Sequence, residues 1–130
     1  VNQAYFILYV RDQRTSRDFY ARVLASEPRL DVPGMTEFAL GTNSVLGLMP
    51  EAGIVRLLGE ALPDPARAAG IPRSELYLCV DDPGAMCDRA LSAGAKMLSA
   101  LAPRDWGHEA AYVLDPDGHV LGLAREQEPE

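Results

Sequence analysis

The chain states one pattern twice. Tyr5-Phe6-Ile7-Leu8-Tyr9-Val10-Arg11-Asp12 corresponds to Glu75-Leu76-Tyr77-Leu78-Cys79-Val80-Asp81-Asp82, 70 positions later, and Ser44-Val45-Leu46-Gly47-Leu48-Met49 corresponds to His119-Val120-Leu121-Gly122-Leu123-Ala124, 75 positions later. Two matching segments in the same order mark a duplicated module, so the two halves are expected to fold alike. At 130 residues with 48% hydrophobic content, the chain is one domain's worth and buries enough surface to fold without staples.

Each half reads as β-α-β-β-β. Residues 4–10 alternate and are rich in aromatic and branched side chains, as a strand with two differently used faces requires. Asp12 ends that strand and caps a helix in which Ser16, Phe19, Tyr20, Val23 and Leu24 recur near every 3.6 residues, with Arg14, Arg17, Asp18 and Arg22 on the wet side. Strands are expected near Pro28–Val32, Thr36–Leu40 and Ser44–Met49, with Gly41-Thr42-Asn43 as a tight connection. The second half opens with a strand at Glu75–Val80. Asp82-Pro83 then supplies a cap and a first-turn proline, Met86, Cys87, Ala90 and Leu91 face inward, and Gly94 stops the helix. A strand near Lys96–Ser99 precedes a loop over Leu101–Gly107. Asp115-Pro116-Asp117-Gly118, between the alternating runs Ala110–Leu114 and His119–Ala124, is a type I hairpin turn. The organisation is therefore a first module over residues 1–50, a linker over 51–74, and a second module over 75–130. Prolines and glycines in the linker predict irregular chain with a turn of helix around Pro65–Ala69, able to act as a lid.

Composition excludes several classes. A formal charge of −7 disfavours nucleic acid, whose phosphates need a basic footprint, and mildly favours neutral or cationic small molecules. No apolar run reaches a membrane span and no basic segment precedes an apolar one at the start, so a cytoplasmic protein with no membrane partner is expected. Cys79 and Cys87 read as small buried hydrophobes in a reducing compartment.

The strand closing in Tyr9-Val10-Arg11-Asp12, then Ser16, Phe19-Tyr20 and Val23-Leu24, the repeat at Val80-Asp81-Asp82 with Ala93-Gly94, and Trp106-Gly107 ahead of the Asp115–Gly118 turn together resemble the glyoxalase/bleomycin resistance/dioxygenase superfamily, also called the vicinal oxygen chelate fold. The resemblance is nearest to its metal-free, bleomycin-resistance-like branch. It implies an α+β fold in which two tandem β-α-β-β-β modules form an open barrel-like cup that holds the ligand. It also implies a homodimer, with some members building the cup from two chains.

In the metal-dependent branches one divalent cation sits on histidine and glutamate side chains at equivalent strand positions. Here those positions fall on Tyr5, Glu75, Gly47 and Gly122, and only Glu75 carries an ordinary ligand. Three or more donors being the usual requirement, no metal and no cofactor is expected. Strand alternation then gives the cup lining: Tyr5, Ile7 and Tyr9 from one module, with Phe6, Leu8 and Val10 under the helix, and Glu75, Tyr77 and Cys79 from the other. Met49, Gly47 and Gly122 complete the walls, the two glycines opening volume. Trp106 either closes over a flat ligand or plugs the end of the barrel. Glu75 is expected either to accept a hydrogen bond from Tyr5, tying the modules together, or to point to solvent at the barrel rim and pair with an arginine such as Arg73. His108 and His119 read as ordinary surface or hairpin residues.

Three function classes follow. The first is a binding protein for a small aromatic or cationic molecule, as in drug or toxin sequestration and antibiotic resistance, with Glu75 attracting charge and Tyr5, Tyr9, Tyr77 and Trp106 stacking. The second is a glyoxalase-like lyase or dioxygenase with a degenerate metal site and Glu75 as general base. The third is a subunit whose cup is empty and whose surface matters.

Overall fold

A computed structural model describes residues 1–128. The duplication is visible in the backbone ladders. The first module runs β1 (Ala4–Val10), α1 (Gln13–Leu24), β2 (Leu30–Val32), β3 (Met35–Ala39) and β4 (Ser44–Pro50), in sheet order β1-β4-β3-β2. After α2 (Glu51–Leu58) and two short 3-10 turns, Gly59–Ala61 and Pro65–Ala68, the second module runs β5 (Glu75–Cys79), α3 (Pro83–Ser92), β6 (Lys96–Pro103), β7 (His108–Leu114) and β8 (Val120–Glu126), in order β5-β8-β7-β6. The first strand of each module lies parallel to the last, Ile7 opposite Gly47 and Tyr77 opposite Gly122, and the remaining pairs are antiparallel. The fold expected from the repeat is the fold observed, as two separate four-stranded sheets with helices.

Both capping predictions hold. Asp12 accepts from the Thr15 amide at 2.8 Å and Asp82 from the Ala85 amide at 3.0 Å, each with φ −133°, so the same aspartate starts each helix by satisfying an otherwise unpaired first-turn amide. Within Asp115–Gly118, the Gly118 amide donates to the Asp115 carbonyl at 3.1 Å and Gly118 takes φ +88°.

One apolar cluster joins the modules. Val10, Phe19, Tyr20, Val23, Phe38, Leu46 and Leu48 of the first meet Leu76, Met86, Cys87, Ala90, Val113, Leu121 and Leu123 of the second, α1 lying against α3. Polar bonds cross the same seam. Tyr20 Oη donates to the buried Asp115 carboxylate at 2.6 Å, the Arg11 amide donates to Asp117 at 2.8 Å, and His119 Nε2 donates to the Tyr9 carbonyl at 3.0 Å.

Four local readings are corrected. The segment after β4 is mostly helical: Ile54 is the buried residue of α2 and lies on a short apolar periodicity that Gly53 and the later prolines obscure. The expected loop at Leu101–Gly107 shrinks to residues 104–107, because β6 continues to Pro103 through two register shifts. Phe6 is 49% exposed, not covered by the helix, since β1 is a sheet edge. Cys79 is exposed, while Cys87 is buried as expected. No helix among the described residues is long and apolar enough to cross a membrane.

Candidate functional site

The expected site residues divide into three groups. In the first module Tyr5, Ile7 and Gly47 share the sheet face turned away from the helix. Tyr5 Oη accepts from Arg29 Nη2 at 2.7 Å, the Arg29 guanidinium sits 5.6 Å from the Tyr5 ring centroid, and Arg29 Nε donates to Glu37 Oε1 at 3.0 Å. Glu37 lies opposite Gly47 in the ladder, so this face is a closed charge-paired cluster. Tyr9 and Met49 sit apart from it. The Tyr9 carbonyl takes the His119 bond, and Met49 packs beside Gly53 of α2.

The second module gathers Glu75, Tyr77, Trp106 and Gly122. The ladder sets Tyr77, Gly122 and Tyr112 in one row across β5, β8 and β7. Trp106 Nε1 donates to Tyr77 Oη at 3.0 Å, and Tyr77 Oη lies 2.8 Å from His108 Nδ1. The Tyr77 and His108 rings stack with centroids 5.8 Å apart, Tyr112 follows at 6.5 Å from Tyr77, and the Arg104 guanidinium lies 5.3 Å from the Tyr112 centroid. Arg104 is fixed in turn by the Ser99 hydroxyl and the Ala100 and Ala110 carbonyls. The result is an aromatic layer on a rigid sheet, flanked by one cation.

Glu75 meets one expectation in part: it reaches solvent but does not pair with Arg73. It is exposed, and among the described residues it makes no hydrogen bond or ion pair; the Tyr5 hydroxyl is turned to Arg29 instead. Its carboxylate lies beside Gly122 and near Tyr112. Burial first, and then the Glu75 charge, pushes the Tyr112 phenol above its ordinary value. An exposed carboxylate keeps its hydration, so its lack of a protein partner costs little, and it stays available to a cation.

The glycines do not open volume. A Cβ at Gly122 would lie 2.5 Å from Tyr77 Cδ1 and 3.2 Å from both Glu75 Oε2 and Tyr112 Cε1, and one at Gly47 would lie 3.1 Å from Ile7 Cγ1 and 3.3 Å from Met35 Sδ. Each glycine lets its neighbours lie flat on the sheet, and the space is already theirs. This bears on the divalent cation that the fold family implies. The space where a last-strand ligand would stand is filled by the Tyr77 ring, and no three of the described His, Cys, Asp and Glu residues are grouped to hold a metal ion. The donor set does not fit such an ion, so no step is derived through one.

An open groove of about 900 Å³ adjoins the aromatic layer, lined by Cys79, Asp81, His108, Glu109, Arg125 and Glu126 among others. Glu109 and Arg125 pair with each other, which leaves the groove acidic. His108, Tyr112 and Arg104 were not among the expected site residues. The turn at Asp115–Gly118 could have found two of them, because it fixes Tyr112 opposite Gly122 and His108 opposite Glu126. Arg104 depends on the irregular end of β6 and has no comparable mark.

Residues 2–123 match the family model described as Glyoxalase/Bleomycin resistance protein/Dioxygenase superfamily. The Mycobacterium bovis protein Mb0911c is 30% identical over 122 residues, covering 91% of this chain and 79% of that protein. Among solved structures, a glyoxalase-related enzyme from Fulvimarina pelagi superposes with TM-score 0.79 at 23% identity, covering 95% of this chain and 86% of the other. TnmS3, an antibiotic binding protein from Streptomyces sp. CB03234, superposes with TM-score 0.71 at 26% identity, covering 98% and 97%.

Proposed function

The chain belongs to the glyoxalase/bleomycin resistance protein/dioxygenase superfamily, and from that premise we propose that it binds a small, flat, cationic aromatic molecule on the face of its second module, sequestering it without chemistry. The observation that carries the reading is the exposed, unpartnered Glu75 carboxylate beside the row of Tyr77 and Tyr112, with Trp106 at the edge. Stacking on such a row favours a planar ligand, and a carboxylate next to it selects positive charge. The acidic groove beyond His108 extends the same preference. Likeness to an antibiotic binding protein supports sequestration as the purpose. Against the lyase or dioxygenase reading, the last-strand position has no donor and no room for one.

The bound state is a homodimer on this reading. The first module's face leaves Tyr5 and Ile7 45% and 42% exposed, apolar surface beside the paired Arg29 and Glu37. A second copy laid against these faces would cover the exposed Tyr5 and Ile7 and supply the wall that one chain leaves open.

Trp106 is the only tryptophan, so its emission reports binding directly. Titration with planar cationic aromatics should change that emission, and Glu75→Gln should weaken cationic ligands about tenfold or more while sparing uncharged isosteres, as loss of a charge-assisted contact worth ~1.5–3 kcal/mol implies. A panel of such ligands that leaves Trp106 unchanged, or an equal loss for charged and uncharged ligands, would sink the proposal. Sedimentation at micromolar concentration should give the mass of two chains.

A further inference from the structure

Glu75 stands at one end of the aromatic row, and the other end carries a cation. Glu75 belongs to β5 and Arg104 follows β6, the two outer strands of the sheet, and the row Tyr77, Gly122, Tyr112 runs between them across β5, β8 and β7. Glu75 Oε2 and Tyr112 Cε1 each lie 3.2 Å from the point where a Cβ at Gly122 would stand, and the Arg104 guanidinium lies over the Tyr112 ring, 5.3 Å from its centroid. The Tyr112 phenol registers both charges: burial first, and then Glu75 and Tyr77, push it up, while Arg104 pulls it back.

Arg104 is fixed before any ligand arrives. It sits where two register shifts interrupt the ladder between β6 and β7. Nε donates to the Ala110 carbonyl at 3.2 Å, and Nη2 donates to the same carbonyl at 2.8 Å, to the Ala100 carbonyl at 3.0 Å and to the Ser99 hydroxyl at 2.9 Å. These acceptors are all neutral, and no carboxylate among the described residues pairs with Arg104, so its charge is not cancelled. A guanidinium carries five N–H donors in one rigid plane. Its Nε–Nη2 edge is spent on the protein, whereas Nη1, which planarity sets on the other side of Cζ, makes no hydrogen bond among the described residues. Two donors are thus unspent on a side chain that has already given up its rotamer freedom, which spares a ligand that ordering cost.

We infer that Arg104 is a specificity-determining residue of this face, donating through Nη1 to a carbonyl oxygen at the end of the ligand remote from its cationic group. The ligand class is then a planar aromatic compound with an ammonium group at one end and a neutral carbonyl at the other: ammonium at Glu75, rings along Tyr77 and Tyr112, carbonyl at Arg104. A neutral oxygen suits the place, because it accepts from Arg104 while the ligand keeps the net positive charge that the acidic groove beyond His108 favours.

This rests on the binding reading, and one pair of probes tells the two apart: 6-acetyl- and 6-isopropenyl-2-(aminomethyl)naphthalene, which differ only in C=O against C=CH2, titrated calorimetrically into the full chain. The wild type should bind the acetyl probe about tenfold more tightly, the worth of one hydrogen bond to a charged group. Arg104→Met should bind both probes equally, and Glu75→Gln should weaken both by the same factor and keep the preference. In the wild type the guanidinium nitrogen resonances of Arg104 should shift with the acetyl probe and not with the isopropenyl one, a readout that holds even if Arg104→Met does not fold. Equal affinities in the wild type, a preference that survives in Arg104→Met, or Arg104 resonances blind to the acetyl probe would overturn the role of Arg104 and leave the binding reading standing. If neither probe binds, the binding reading falls and takes the inference with it.

Discussion

The two modules share a scaffold and differ in what they mount on it. Both start their helices with a capping aspartate, both lay their first strand parallel to their last, and both place a glycine at the centre of the open face. The first module closes its face with the ionic cluster Tyr5, Arg29 and Glu37; the second covers its own with Tyr77, His108, Tyr112 and Trp106 and leaves Glu75 free. The difference follows the offset between repeats, 70 positions before the helices and 75 after them. In the second module the three-residue β2 gives way to the eight-residue, irregular β6 and the loop bearing Arg104 and Trp106. Duplication thus supplied two equivalent faces, and a longer arm laid an aromatic layer on one of them.

The hairpins offer the strongest way to break that equivalence. A Cβ at Gly118 would lie 2.7 Å from the Gly70 carbonyl oxygen and 3.1 Å from its Cα, at φ +88°, whereas Gly41 in the first hairpin has φ +139° and nothing within 4 Å. Gly118→Ala should therefore cost about 3 kcal/mol, from backbone strain and overpacking together, and Gly41→Ala about 1–2 kcal/mol from strain alone. Equilibrium urea unfolding reads both, and equal losses would mean that the linker does not rest on the second hairpin.

The two central glycines come next. Gly122→Ala drives a methyl group into the rigid Tyr77 ring and should cost about 2 kcal/mol, while at Gly47 the neighbours Ile7 and Met35 can yield, for a loss below about 1 kcal/mol. Only the Gly122 change should disturb Trp106 emission, because Tyr77 holds the indole.

A smaller asymmetry lies in the seam. Tyr20 and Asp115 bond across it, while the positions equivalent to them by the repeat are Ala90 and Leu40, both in the apolar cluster. Tyr20→Phe should cost about 1.5 kcal/mol, since it removes a bond to a charged acceptor that retains the Asp117 and His119 amides. The same residue sets the weakest expected effect. Burial, reinforced by the Asp115 charge, holds the Tyr20 phenol well above its ordinary value of 10.0. A group whose folded pKa is raised contributes stability that is complete below its unfolded value and declines as pH rises beyond it. Wild-type stability should fall above pH 10 more steeply than that of Tyr20→Phe, as thermal unfolding across that range would show.

Much of this was legible from residues alone. The period-2 runs at 4–10 and 75–79, the Asp12 and Asp82 caps and the Asp115–Gly118 turn are local features whose physics is complete within a few residues, so the elements follow from them. The site was legible only where it rode on those elements: Glu75, Tyr77, Gly122 and Trp106 come together because strand parity and the hairpin put them there. The contacts of Tyr9 and Met49 were not legible, because parity gives the face of a residue and not its neighbour: the Tyr9 carbonyl meets His119 and Met49 lies beside α2. The stacking of His108 on Tyr77 was equally illegible, since a histidine at a strand start carries no mark of the tyrosine two strands away.

The sequence by itself determined the duplicated β-α-β-β-β order, the aspartate caps that start both module helices and the turn that joins the last two strands, all of which are properties of residue type and spacing. Tertiary structure alone decided that the central glycines are filled by Ile7 and Tyr77, that Arg29 claims Tyr5 while Glu75 goes unclaimed, and that Tyr77 joins Trp106 to His108. Those outcomes depend on which of several long side chains reaches a given point first, a competition among residues distant in sequence that no local pattern records.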